Sequence, residues 1–123
     1  MATEHWPTEL RLRQGGRVLA ASFEDAVFDL EAEYLRVSSP SAEVKGHSPA
    51  ERKTVGGKRG VGISAVEPVG NYAVRLVFDD GHDTGLYTWA YLYELGTDKA
   101  AKWEAYLADL ERKGLSREQP GER

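Results

Sequence analysis

The stretch Asn71 to Trp89, NYAVRLVFDDGHDTGLYTW, decides the fold of this chain. Tyr72, Val74, Leu76 and Phe78 alternate with Ala73, Arg75 and Val77, the two-residue period of a strand with one buried face. Asp80-Gly81 is a dipeptide suited to a type I′ hairpin. A two-residue loop there sets Asp79 opposite His82, Val77 opposite Thr84 and Val74 opposite Tyr87. Thr88 can cap a helix holding Trp89, Leu92 and Leu95, closed by Gly96. Just upstream, VGISAVEPV forms a partner strand ending at Pro68, and Gly70-Asn71 turns the chain. His82 then has two readings. It is an exposed turn residue pairing across the hairpin with Asp79, or a metal or ligand contact assisted by Asp80, Asp83 or His47.

Upstream, Leu10 and Leu12 alternate with charged residues, and Gly15-Gly16 supplies the positive φ angles of a two-residue loop. That loop sets Leu12 opposite Leu19, Leu10 opposite Ala21 and Thr8 opposite Phe23, with apolar partners on one face. Asp25-Ala26 marks a second turn. Asp29 is placed to cap a short helix whose Leu30, Tyr34 and Val37 share a side. Ser38 to Gly60 is rich in Ser, Pro and Gly. Ser39-Pro40 can start one helical turn there, and the rest reads as a long basic loop carrying Lys45, Arg52, Lys53, Lys58 and Arg59. Thr97 is placed to cap a longer helix with Ala100, Trp103, Leu107 and Leu110 in a stripe, ended by Gly114. The expected fold class is α+β: a small, twisted, mainly antiparallel sheet of two hairpins with short helices and one longer C-terminal helix. Residues 1–114 form a single domain and 115–123 a disordered tail.

The totals exclude several functions. The chain has 123 residues, 41% hydrophobic and 29% charged, with a formal net charge of −4. That balance argues against nucleic acid as a partner. No cysteine is present, so disulfides, thiolate metal sites and thiol nucleophiles are absent. No stretch approaches the roughly 18 apolar residues of a membrane span, and the opening MATEHWPTEL lacks the apolar run of a secretory signal. A cytoplasmic, bacterial setting is the expectation. GGKRGVG, Gly56 to Gly62, looks like a phosphate-binding loop, but it precedes a strand rather than a helix. No serine sits on a glycine-flanked nucleophile turn, and spacing places no carboxylate pair for acid–base work. Trp89 and Trp103 read as core. Tyr91 and Tyr93, two apart on one helix, cannot both face inward, so at least one is expected to present an aromatic to a partner.

The segments WPTELRL, LEAEYLRVSSPSAEVKGH, VEPVGNYAVRLVFDDGHDTGLYTW and YLYELG together resemble the gamma-butyrobetaine hydroxylase-like N-terminal domain, a small bacterial family of unknown function. The likeness runs from about Trp6 to Gly96. It implies a stand-alone domain whose relatives are fused to P-loop ATPases carrying iron–sulfur clusters or to carnitine-pathway oxygenases. In the oxygenases the domain resembles a zinc module held by three cysteines and a histidine. Carried over by position, the histidine is His82 and the cysteines fall near Ser39, Ser41 and Val44, so one ligand of four is kept and that zinc site is expected to be lost. The oxygenase iron belongs to a separate domain, so hydroxylation does not follow.

The resulting expectation is a non-enzymatic binding or accessory module without a cofactor of its own, linked to iron–sulfur or metal-cofactor handling. Its protein partner would be a P-loop iron–sulfur carrier, met by Lys45, Arg52, Lys53, Lys58, Arg59, Tyr91 and Tyr93. One alternative is a metal-binding protein holding iron or zinc through His82 and His47 with Glu43, Asp80 or Asp83. A second is a small-molecule-binding domain with a pocket between sheet and helices.

Overall fold

A computed structural model describes residues 6–41 and 54–118 of the chain. Strands β1 (Pro7–Arg13), β2 (Val18–Phe23) and β3 (Val27–Glu31) form one antiparallel sheet in that order, and β4 (Ile63–Val69), β5 (Ala73–Phe78) and β6 (Leu86–Thr88) form a second. Helices α1 (Ala32–Val37), α2 (Trp89–Thr97) and α3 (Lys99–Arg112) complete the domain. The class is α+β, mainly antiparallel, with the longest helix at the C-terminal end. The first expected hairpin acquires a third strand, β3, and the strands form two sheets rather than one.

The register follows the alternation. Leu12 pairs with Leu19 and Leu10 with Ala21, as the Gly15-Gly16 loop requires. A bulge at Thr8 then shifts the ladder, so Pro7 rather than Thr8 lies opposite Phe23. In the second sheet Val74 pairs with Tyr87, and Val74, Leu76 and Phe78 point into the core. The two sheets touch by backbone. Gly16 has a φ of +90°, and a Cβ there would lie 2.3 Å from the Ile63 carbonyl oxygen. The core forms where both sheets meet α1 and α2, around Leu19, Leu30, Leu35, Leu76, Tyr87 and Leu92.

Several local expectations are corrected. Asp29 caps nothing: it lies in β3 opposite Ala20, because Phe28 and Leu30 alternate inward and prolong the β2 ladder. Helix α1 starts after Glu31, without a side-chain cap. Thr88 does cap α2, its hydroxyl accepting from the Tyr91 N–H at 3.1 Å. Thr97 is the last residue of α2, and α3 follows Asp98. Gly114 ends α3 at a φ of +68°, with Leu115 N–H bonded to Leu110 and Gly114 N–H to Glu111, a Schellman closure. The segment Leu115–Glu118, expected in the tail, packs back on the domain: the Gly57 N–H donates to the Ser116 carbonyl and the Arg59 N–H to that of Arg117. The helical turn expected at Ser39-Pro40 is not formed over residues 39–41, and its continuation lies outside the described residues.

Gly96 does not close α2 but lies inside it, where the absent side chain makes room for Phe28. A Cβ would sit 2.3 Å from Phe28 Cγ. Phe28 also packs edge-on against Phe23 and Tyr93, so its ring cannot retreat freely. Gly96→Ala gains about 1 kcal/mol of helix propensity and incurs an overpacking cost of about 1–3 kcal/mol. The expected net effect is a loss of about 1 kcal/mol in urea denaturation. In a Phe28→Ala background the same change should be neutral or stabilising; equal losses in both backgrounds would refute the notch.

Candidate functional site

The site grows from the turn after β5. The Gly81 N–H donates to the Phe78 carbonyl at 3.2 Å, and the Phe78 N–H to the His82 carbonyl at 3.0 Å. Gly81 has a φ of +93° while Asp80 does not reach positive φ, so Asp79-Asp80 make a type I turn with a glycine bulge rather than the expected type I′ loop. That extra residue, together with Asp80 Oδ1 accepting the His82 N–H at 3.1 Å, turns the His82 ring inward.

His82 is therefore buried, 7% exposed, and not the surface residue expected. Its Nε2 lies 2.9 Å from Ser39 Oγ, and Ser39 is fully buried. Ser39 Oγ also accepts the Ser41 N–H at 3.2 Å, and Ser41 Oγ meets Thr84 Oγ1 at 2.8 Å. Gly85 permits this approach, since a Cβ there would lie 2.6 Å from Ser39 Oγ. The segment after α1 is thus fastened to residues 82–85 by side-chain hydrogen bonds.

Asp80 is the second fastening. Its Oδ2 accepts from Arg36 Nε at 2.8 Å and Lys58 Nζ at 2.5 Å. Burial alone would raise its pKa. The hydrogen bonds from Lys58, the His82 N–H and Arg36 outweigh that and hold it at about 2. Arg36 Nη1 is buried with no hydrogen-bond partner among the described residues. Asp83 faces elsewhere: its carbonyl accepts from Arg75 Nη1 at 3.2 Å, and Arg75 also pairs with Glu67.

The candidate ligands therefore diverge, His82 to Ser39, Asp80 to Arg36 and Lys58, Asp83 to Arg75. Glu43 and His47 lie outside the described residues, as do Lys45, Arg52 and Lys53. Among the described residues no group of three or more His, Asp or Glu is placed to hold a metal. Ser39, Ser41 and His82 do converge, as the zinc-bearing resemblance implies. One imidazole and two neutral hydroxyls bonded to other partners do not fit zinc.

Two cavities flank this region. One, of about 520 Å³, lies beside Asp79 and Asp80 and is lined by Arg17, Lys58, Arg59 and Arg117 among others. The other, of about 500 Å³, is lined by Tyr34, Trp103, Glu31, Glu33 and Lys99. Arg117 borders both. Its guanidinium holds both oxygens of the buried Glu33 carboxylate, at 2.7 and 2.6 Å, and lies 5.2 Å from the Trp103 ring centre. Nothing local in the sequence signals this contact, which spans 84 positions. Tyr91 and Tyr93 are both half-buried, because α2 has structure on two sides. Tyr91 OH donates to the Ser38 carbonyl at 2.5 Å, and Tyr93 OH to Asp25 at 2.8 Å.

Fold and site together define a small α+β domain whose second hairpin turn is fastened to α1 and the segment after it. The chain belongs to the gamma-butyrobetaine hydroxylase-like, N-terminal family, whose model matches residues 10–93. Two NMR solution structures are similar. One is 47% identical with a TM-score of 0.83, covering 98% of this chain and 95% of the other. The second is 48% identical with a TM-score of 0.82, covering 97% and 89%. The crystal structure of a DUF971-family protein of unknown function from Acidithiobacillus ferrooxidans is 40% identical with a TM-score of 0.61, covering 73% of this chain and 91% of that one. No curated protein matches. Among the described residues no helix is long and apolar enough to cross a membrane.

A depressed carboxyl contributes stability that is present above its unfolded-state pKa and lost as pH falls through the folded value. For Asp80 that window runs from about pH 4 down to about pH 2. Asp80→Asn should lower stability at neutral pH, and its deficit relative to the parent should shrink by about 1 kcal/mol across that window, after allowance for solvent screening. Denaturation curves that stay parallel from neutral pH to the acid limit would refute the lock. Ser39→Ala strips a partner from His82 Nε2 and the Ser41 N–H and should cost about 1–3 kcal/mol in urea denaturation.

Proposed function

We propose that this chain is a non-enzymatic binding module, working in the cytoplasm as an accessory to iron–sulfur or other metal-cofactor handling. One observation carries the binding reading. The side chains able to do chemistry at the turn, Ser39, His82 and Asp80, are engaged in holding backbone segments together, while an open cleft beside them is lined by cations. General acid–base or nucleophilic work needs a reactive atom within reach of a substrate, and Ser39 is fully buried. The link to cofactor handling rests on family likeness alone, which is an analogy of fold and not of site.

The partner this reading favours is a P-loop iron–sulfur carrier, meeting the 57–61 loop and the Asp79–Gly81 turn. Titrating the ¹⁵N-labelled chain with such a carrier should shift resonances of Arg17 and of residues 57–61 and 79–85, and leave the Gly70–Tyr72 turn at the far end of the β4–β5 hairpin unmoved. A spectrum untouched by the carrier would sink the assignment of partner. Shifts at His82 produced by ferrous or zinc ions alone would replace it with a metal-binding function.

A further inference from the structure

We infer that the cleft beside Asp79 and Asp80 docks an extended acidic peptide segment of a partner protein, and that residues Ser116–Glu118 of this chain are its internal competitor. The inference rests on the binding-module reading and names the chemistry of the partner.

The cleft already holds a peptide, its own. Gly57 N–H donates to the Ser116 carbonyl at 2.8 Å and Arg59 N–H to the Arg117 carbonyl at 3.1 Å. These are backbone contacts, indifferent to side chain, of the kind that receive any extended segment. Arg59 Nε then meets the Glu118 carboxylate at 2.8 Å. Both members of this pair are more than half exposed, at 55% and 61%, so the contact is weak and exchangeable. Arg17 lines the same cleft and donates to the Arg59 carbonyl at 3.2 Å. Among the described residues no carboxylate lies within ion-pairing distance of Arg17.

The acids of the cleft wall are committed. Asp79 accepts the Gly62 N–H, and Asp80 is neutralised by Arg36 and Lys58. What remains toward solvent is Arg17 and Arg59, matched among the described residues by Glu118. The competitor is tethered by Arg117, whose guanidinium is clamped by Glu33 and Trp103. Tethering gives Glu118 a high effective concentration at the cleft and sets a threshold that an incoming segment must exceed. A single-stranded nucleic acid would want aromatic faces for its bases, and among the described residues no aromatic lines this cleft.

The test uses the full chain and a fluorescent synthetic peptide alternating glutamate and serine, followed by anisotropy. Binding that weakens with salt is expected. Glu118→Gln should tighten it about twofold to fivefold, the range of an exposed ion pair, and Arg59→Glu should abolish it while the circular dichroism spectrum stays unchanged. Equal affinity of parent and Glu118→Gln, absence of binding to both, or tighter binding of an oligothymidylate would overturn the inference. The two proposals fail separately. A carrier that binds equally well to Arg59→Glu leaves the module reading standing and removes this one. Peptide binding with an inert carrier removes only the carrier.

Discussion

The Asp80 carboxylate is the constraint on which the rest of the site depends. It draws together α1 through Arg36, the loop before β4 through Lys58, and the turn through the His82 N–H, segments 44, 22 and 2 residues away. Removing two charges from water is costly, and attraction repays it only when further hydrogen bonds satisfy the remaining atoms. Three donors on two oxygens meet that condition for the acid, and its pKa of about 2 reflects it. The cation is less well served, since Arg36 Nη1 is buried with no hydrogen-bond partner among the described residues. Net stability is therefore a poor account of this pair. Its effect is geometric: with Asp80 fixed, the His82 N–H is held, and the turn carries the imidazole inward toward Ser39.

Tyrosine hydroxyls do a second part of the joining, at helix ends. The final carbonyls of a helix have no partner within it, and α1 is only six residues long. Tyr87 from β6 donates to the Leu35 carbonyl at 2.5 Å, and Tyr91 from α2 to the Ser38 carbonyl just beyond α1. The favour is returned, since Tyr34 of α1 donates to Leu95 near the end of α2 at 2.7 Å. Burial raises the Tyr34 hydroxyl well above the ordinary phenol range, and burial raises that of Tyr106, which donates to Val55, to about 12. Burial thus favours the protonated, donating form of the Tyr34 and Tyr106 hydroxyls. Tyr91 and Tyr93, of which at least one was expected to face a partner, also join segments within the domain through their hydroxyls.

Strands were legible in the sequence wherever alternation and a glycine turn agreed, as in Leu10 and Leu12 against Leu19 and Ala21, or Val74 against Tyr87. The third strand β3 was hidden because Phe28 and Leu30 give only two inward positions, and Asp29 between them looks like a cap. The orientation of His82 was hidden by one residue of loop length. A type I′ loop leaves it outside, whereas the glycine bulge carries it inside. The site was legible as a list of residue types but not as contacts. Ser39–His82 and Arg36–Asp80 join positions 43 and 44 apart, and neither has a local pattern to announce it. Arg117 on Glu33 and Trp103 is the extreme case, in a segment whose composition alone suggests disorder.

These contacts also separate what the domain can give up from what it must keep. Ser39 and Ser41 reach His82 and Thr84 through hydroxyl hydrogen bonds, each contributing about 1 kcal/mol net, and Gly85 is tuned to a hydroxyl-sized neighbour at that depth. Charge is concentrated one layer out, at Asp80, where Arg36 and Lys58 compensate it. Closing the fold therefore consumes the imidazole and the central acid. Cations beyond that layer, Arg17 and Arg59, carry no structural duty of comparable depth, because their contacts are a loop carbonyl and an exposed carboxylate. The charges at the mouth of the cleft can therefore be exchanged at far smaller cost to the core than the charge at Asp80.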